Sequence, residues 1–217
     1  MALRARGKAS SPLRYFVYLS DLKVQMLLDQ IDEPVRRSIA GELKLDLKLI
    51  SLKLTSSTTD RSLRQRSRIA KLAVVEGHLQ RHQQMGDLTS RHGYIVAHAE
   101  MDWKPLSDDE TVLFCGYAGH LLVALGGSIS HLWGRSPADA QVGSHPHTIE
   151  AAVLYGGEPK DLGRDLEATA QEVYTLPQPV KFLARIISRG PLPPGMAHNE
   201  YVLATPIYVE AIDTLGI

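Results

Sequence analysis

Apolar and polar positions recur with two periods along this chain, and the switches between them mark its elements. The apolar run Tyr15 to Leu19 ends at Ser20, after which Leu22, Met26 and Leu27 return at helical spacing. This predicts a strand, a cap and a helix, with the Ser20 side chain accepting from the N–H of Leu22 or Lys23. Asp32 and Pro34 restart the chain in a short helical segment. Leu43, Leu45, Leu47 and Leu49 alternate with Lys44, Asp46 and Lys48, which predicts a strand over Glu42 to Leu54 that is wet on one face and bulged near Ile50. Capping residues at Ser56 to Asp60 precede a long helix over Arg61 to Met85, weakened at Gly77, with Leu72, Val75 and Leu79 as its apolar stripe.

In the second half, Ile95, Ala97, Ala99, Met101 and Trp103 alternate with Val96, His98, Glu100 and Asp102, giving another one-sided strand. A hairpin follows over Val112 to Leu125, turning at Gly116 to Gly119. Arg135 to Ser144 reads as a surface loop, Thr148 to Tyr155 as a strand, Asp161 to Thr175 as a helix and Pro179 to Ser188 as a second helix. After the rigid PLPPG connector, Tyr201 to Ala204 is a last strand, and Thr205 with Pro206 is placed to start a C-terminal helix. The one-sided strands imply one α+β domain over residues 15–217. Its mostly antiparallel sheet of about five to seven strands carries helices mainly on one face.

Composition narrows the function classes. The chain has 217 residues with 24 Lys plus Arg against 24 Asp plus Glu, so no global charge draws it to nucleic acid or membranes. Residues 1–14 form a basic stretch without the apolar centre of a secretory signal and are expected to be a disordered tail. No window has the roughly 20 apolar residues of a membrane span. The one cysteine, Cys115, lies in an apolar run and has no internal partner for a disulfide, which fits a reducing cytoplasm.

The segment Thr111 to Gly134 carries the main candidate site. Gly126, Gly127 and Ser128 end a strand, and a short apolar helix with His131 follows. Ser20 ends a strand in the same way, with Lys23 one turn into its helix. Should the two strands be neighbours, the helix starts converge, and Ser20, Lys23, Gly126, Gly127, Ser128 and His131 form an anion-binding corner. The bland alternative is a pair of ordinary caps. Ser128 and His131 also suggest a nucleophile and base, but G-G-S-I-S lacks the second glycine of a G-x-S-x-G elbow and no acid is positioned to orient the histidine.

Other constellations are weaker. His78 and His82 share a helix face without the glutamate of an H-E-x-x-H site, and His145 and His147 flank Pro146; neither pair has an identifiable third ligand, so no metal or cofactor is assigned. Arg61, Arg64, Arg68 and Lys71 recur along one helix face that phosphates could follow, yet no aromatic residues interleave to stack bases. That face and the acidic region Asp102 to Glu110 could instead pair between chains.

Three segments, YFVYLSDLKVQMLLDQI, VALGGSISHLWG and LATPIYVEAI, together resemble a family of bacterial domains of unknown function found mainly in high-GC bacteria. The resemblance runs from Tyr15 to Val209 and departs from the family at Asp29, where members often have proline. It implies a shared fold and that the six corner residues lie in recurring segments, but no activity. The sequence therefore points first to a noncatalytic cytoplasmic sensor or adaptor for a small anionic ligand, a nucleotide among the candidates. A protein-interaction or homo-oligomeric assembly module is the alternative, followed by a hydrolase using Ser128 and His131.

Overall fold

The computed structural model describes residues 14–51, 61–90, 93–106, 110–133, 149, 152, 161–174, 176–195 and 198–212. Among them the protein is α+β with seven strands in one mostly antiparallel sheet. The elements run β1 (Tyr15–Leu19), α1 (Asp21–Asp29), α2 (Glu33–Glu42), α3 (Leu47–Ser51), α4 (Arg61–Arg81), β2 (Met85–Gly86), β3 (Tyr94–Pro105), β4 (Thr111–Ala118), β5 (Leu121–Ser128), α5 (Leu162–Val173), β6 (Gln178–Pro191) and β7 (Glu200–Ala211).

The sheet is not open. β3 pairs with β4, β4 with β5, β5 with β7, β7 with β6, and β6 returns to β3, closing a five-stranded barrel. Helices cover it on two sides rather than one. Val112, Phe114, Val123, Leu125, Phe182 and Val202 fill the barrel. Leu183, Ile207 and Tyr208 face outward under α1 to α4. Leu113, Cys115, Leu122 and Leu203 face outward on another wall under α5. Closure explains why β4 and β5 read as almost unbroken apolar runs: each strand has one face in the barrel and the other under a helix.

The same double burial overturns two expected helices. Pro179 to Ser188 lies in β6, where Val180, Phe182 and Ala184 point into the barrel while Leu183 lies under the α1 to α4 layer. Apolar residues on both faces of a strand imitate a helical stripe. Beyond Ala204 the chain likewise continues as β7 through Thr205 and Pro206 to Ala211. Proline is accommodated because β5 stops pairing at Ala204 and β1 begins at Tyr208, which leaves that edge of β7 without a strand neighbour at 205–207.

The strand expected over Glu42 to Leu54 is also absent from its described residues. α2 ends with Lys44 in the left-handed region, φ 53°, and the Leu45 N–H donates to the Ala40 carbonyl. Asp46 then accepts from the Lys48 N–H as α3 begins, and Leu45, Leu49 and Ile50 pack inward. A helix C-cap inside the alternating stretch prevents it from running as one strand. α4 passes straight through Gly77, whose missing side chain admits Ile39 of α2: a Cβ there would stand 2.9 Å from Ile39 Cγ2. Ile149 and Ala152, the described residues of the strand expected at Thr148 to Tyr155, are helical and buried. Residues 1–13 and the loop Arg135 to Ser144 lie outside the described residues.

Candidate functional site

The two serine junctions are brought together around Tyr18. β1 carries a bulge between Phe16 and Tyr18, so that Val17 and Tyr18 both contribute to the barrel interior. The chain leaving β5 returns to β1: Tyr18 bridges Leu132, and the Trp133 N–H donates to the Val17 carbonyl at 2.7 Å. Gly127 lies against the Tyr18 phenol, His131 meets the Tyr18 ring edge to face at 5.8 Å, and the Lys23 ammonium lies 6.0 Å from its centroid. Ser20, Lys23, Gly127 and His131 thus surround one fully buried tyrosine, which in the sequence is only a member of the apolar run Tyr15 to Leu19.

The backbone donors expected at these junctions are engaged within the chain. Ser20 caps α1 by accepting from the Lys23 N–H at 3.4 Å, as expected. The helix expected after Ser128 is a single 3-10 turn over Ile129–His131. Its Ser130 N–H goes to Ser128 Oγ and its Ile129 N–H to the Glu110 carbonyl. Gly126 and Gly127 are buried strand residues paired with Leu113 and Val112. Ser128 Oγ lies 2.9 Å from Ser130 Oγ. Asp102 accepts from the N–H groups of Trp103 and Leu176.

Lys23 is different. Its ammonium crosses from α1 to the gap in β7, where it donates to Thr205 Oγ1 and, at 2.9 Å, to the Pro206 carbonyl. Beside it the Ser20 N–H donates to the Ile207 carbonyl at 2.9 Å. The helix thereby supplies donors to the β7 edge that neither β5 nor β1 reaches. Both acceptors of the ammonium are neutral, and no carboxylate lies within ion-pair distance of Lys23 among the described residues. Burial pushes its ammonium down to about 8.

Around this point the charges partly cancel. Asp21 pairs with Arg68 at 2.5 Å, and burial, opposed chiefly by Arg68, raises its carboxyl. Arg68 also lies over the Trp133 ring, 5.5 Å from its centroid, and Lys71 donates to Gln25 at 3.0 Å. Burial lowers His131, with Asp21 opposing that shift. The basic helix face therefore packs partly against α1, and Asp102 of the acidic region is buried rather than at the surface.

Lys23 and Thr205 line a cleft of about 1550 Å³ between the α1 and α4 helices and strands β6 and β7. Leu27, Ile31, Val75 and Leu79 supply apolar wall, and exposed Arg185 lies on the strand side without an ion pair among the described residues. Of the six expected site residues only Lys23 opens on this cleft; Ser20, Gly126, Gly127, Ser128 and His131 do not line it. Tyr18 and Thr205 were missed, the latter because Thr-Pro was read as a helix start.

His78, also on the cleft wall, lies beside His82 with ring centroids 4.3 Å apart and the rings tilted by 45°. Burial, then the neighbouring His82 and Arg81 charges, lowers His78. Among the described residues no cluster of three or more His, Cys, Asp or Glu could hold a metal, and His145 and His147 lie outside them. No helix among them is long and apolar enough to cross a membrane.

No curated protein and no solved structure matches the chain. The model of a family of unknown function, DUF7019, matches residues 14–213, which spans both the barrel and its helical layers, and the chain belongs to that family.

Proposed function

We propose that the protein binds a small anionic ligand in the cleft, with the Lys23 ammonium as the charged receptor and no chemistry performed on the ligand. The observation that carries this reading is the Lys23 environment: a desolvated cation held by two neutral acceptors at the wall of a large cleft. An ammonium has three donors, and these two contacts leave one donor over and the charge without a counter-ion among the described residues. An incoming carboxylate or phosphate would supply both. Ser20, Gly126, Gly127, Ser128 and His131 act behind this group, by fixing Tyr18 and the start of α1. Exposed Arg185 supplies a second cation, and the apolar wall favours a ligand with an apolar or aromatic body beside its anionic group. Nucleotides belong to that class.

A thermal-shift screen of nucleotides, phosphorylated metabolites and medium-chain carboxylates tests the reading. At least one anion is expected to raise Tm in the wild type and not in Lys23→Ala. Equal shifts in both proteins, or none across the set, would count against the site.

The exposure of Leu22 (64%) and Met26 (54%), one turn apart on the α1 rim of the cleft, favours a second reading as an interaction or assembly module. Sedimentation of wild type and Leu22→Lys at two salt concentrations separates the two. An oligomer lost on substitution supports assembly, and a monomer throughout leaves the ligand reading.

A further inference from the structure

On the wall under α5, away from the Lys23 cleft, a second group of side chains is left with unmet demands. Leu113, Cys115 and Tyr117 project from alternate positions of β4 toward α5, and Tyr117 is the last of the row. Across from them, Leu162, Leu166, Ala170 and Val173 pack inward from the helix. Glu167 and Tyr174 are seven residues apart and therefore share a helix face. The Tyr174 ring meets Tyr117 edge to face at 5.0 Å, and His198, just before β7, stacks on Tyr117 at 4.2 Å with 17° between planes. The Asn199 N–H fixes the approach of His198 by donating to the His120 carbonyl in the β4 to β5 turn.

Two polar atoms in this cluster are buried without a hydrogen-bond partner, Glu167 Oε2 and His198 Nδ1. Glu167 is only 3% exposed. A carboxylate withdrawn from water without a donor is strongly disfavoured, and folding normally supplies one. The Lys104 ammonium of β3 reaches α5 but donates to the Glu172 carbonyl at 2.7 Å, and among the described residues no ion pair joins a cation to Glu167; burial first and the Glu167 charge next push the Tyr117 phenol up to about 12, and burial, then Glu100, raises Tyr174. The place is acidic, aromatic and bordered by half-buried rings that water can reach.

We propose that Glu167, Tyr117, Tyr174 and His198 form a second binding site, which takes the primary ammonium group of a small organic amine. The ammonium supplies the N–H donor and positive charge that Glu167 lacks, and the tyrosine rings attract a cation through their π faces. A primary ammonium fits better than a quaternary one because the unpartnered carboxylate oxygen needs a donor. An organic cation fits better than a metal ion, since the described residues offer no three-ligand cluster here.

Amide NMR of the full chain, titrated with n-butylammonium chloride against matched sodium chloride, tests this. Saturable shifts at Tyr117, Tyr174 and His198 are expected in wild type and in Lys23→Ala. Binding should weaken by about fivefold or more in Glu167→Gln and, independently, in Tyr174→Leu at the half-exposed helix end. Tetramethylammonium should bind more weakly than butylammonium. Shifts no larger than those from sodium chloride, unchanged binding in the folded variants, or equal binding of the two ammonium ions would overturn the proposal. Because Lys23 takes no part, failure here leaves the anion cleft standing.

Discussion

Gly127 lies face to face with the Tyr18 phenol: a Cβ on the glycine would stand 2.5 Å from the hydroxyl oxygen and 2.7 Å from Cζ. Both residues belong to the closed interior of the sheet, so neither has room to yield. Gly127→Ala is expected to destabilise the protein by about 1–3 kcal/mol through overpacking. Gly41→Ala provides the contrast, because it lies in helix α2 with nothing within 4 Å of the added carbon. It should stabilise by about 0.5–1 kcal/mol. Urea denaturation of the two variants reads both signs.

The Tyr18 hydroxyl is buried without a hydrogen-bond partner. Its near neighbours are the Ser20 side chain and the Ser128 backbone, whose influence is outweighed by burial, and the phenol is pushed up to about 12. Removing an unsatisfied hydroxyl leaves no partner stranded. Tyr18→Phe should therefore change stability by less than about 0.5 kcal/mol, while Tyr18→Ala should cost about 3–5 kcal/mol by opening a cavity against Phe114. A large loss in Tyr18→Phe would mean that the hydroxyl, not the ring, joins the two junctions.

Lys23 should make stability depend on alkaline pH. Its folded value is lowered from 10.5 to about 8, so between these values the unfolded chain binds more protons at this site. Stability then rises with pH, as the cost of holding the ammonium charged is relieved. After allowance for partial exposure the rise is on the order of 1–2 kcal/mol. Tyr18 stays neutral through this window. Denaturation midpoints of wild type and Lys23→Met at pH near 7 and near 10 check the sign, and the rise should vanish in the variant.

Ser128 and His131 should not act as a nucleophile and base. The serine hydroxyl is occupied with Ser130, and the histidine ring rests on Tyr18 with its protonated form disfavoured by burial. A serine-reactive fluorophosphonate is expected to leave Ser128 unlabelled. Labelling that disappears in His131→Ala would restore the hydrolase reading.

Local signals in this chain were readable where one face of an element is polar. The β4–β5 hairpin, apolar on both faces, is marked instead by its turn at Gly119, while the Ser20 cap, the long α4 helix and the alternation of β3 carry such contrast. It fails in β6 and β7, where closure buries both faces and Phe182 and Leu183 point to different cores. No local pattern encodes that closure, since it depends on β6 pairing with β3 some eighty residues earlier. The same holds for the site. Ser20, Lys23 and the Gly-Gly-Ser junction could be picked out as strand ends followed by helix signals, whereas their meeting at Tyr18 comes from a long-range return of the chain to β1. Lys23 reaches Thr205 only because Thr-Pro sits in a strand gap, a context the dipeptide does not announce.

In the function proposed, the Lys23 ammonium is a desolvated receptor for an anion. The most direct measurement follows the Lys23 side-chain carbon by NMR in lysine-labelled protein through an alkaline titration, with and without saturating n-octanoate. A midpoint near 8 is expected in the free protein, with a clear upward displacement when octanoate is bound, because a carboxylate stabilises the charged form. A free-protein midpoint at the ordinary lysine value of about 10.4, or a midpoint that octanoate does not move, would contradict it.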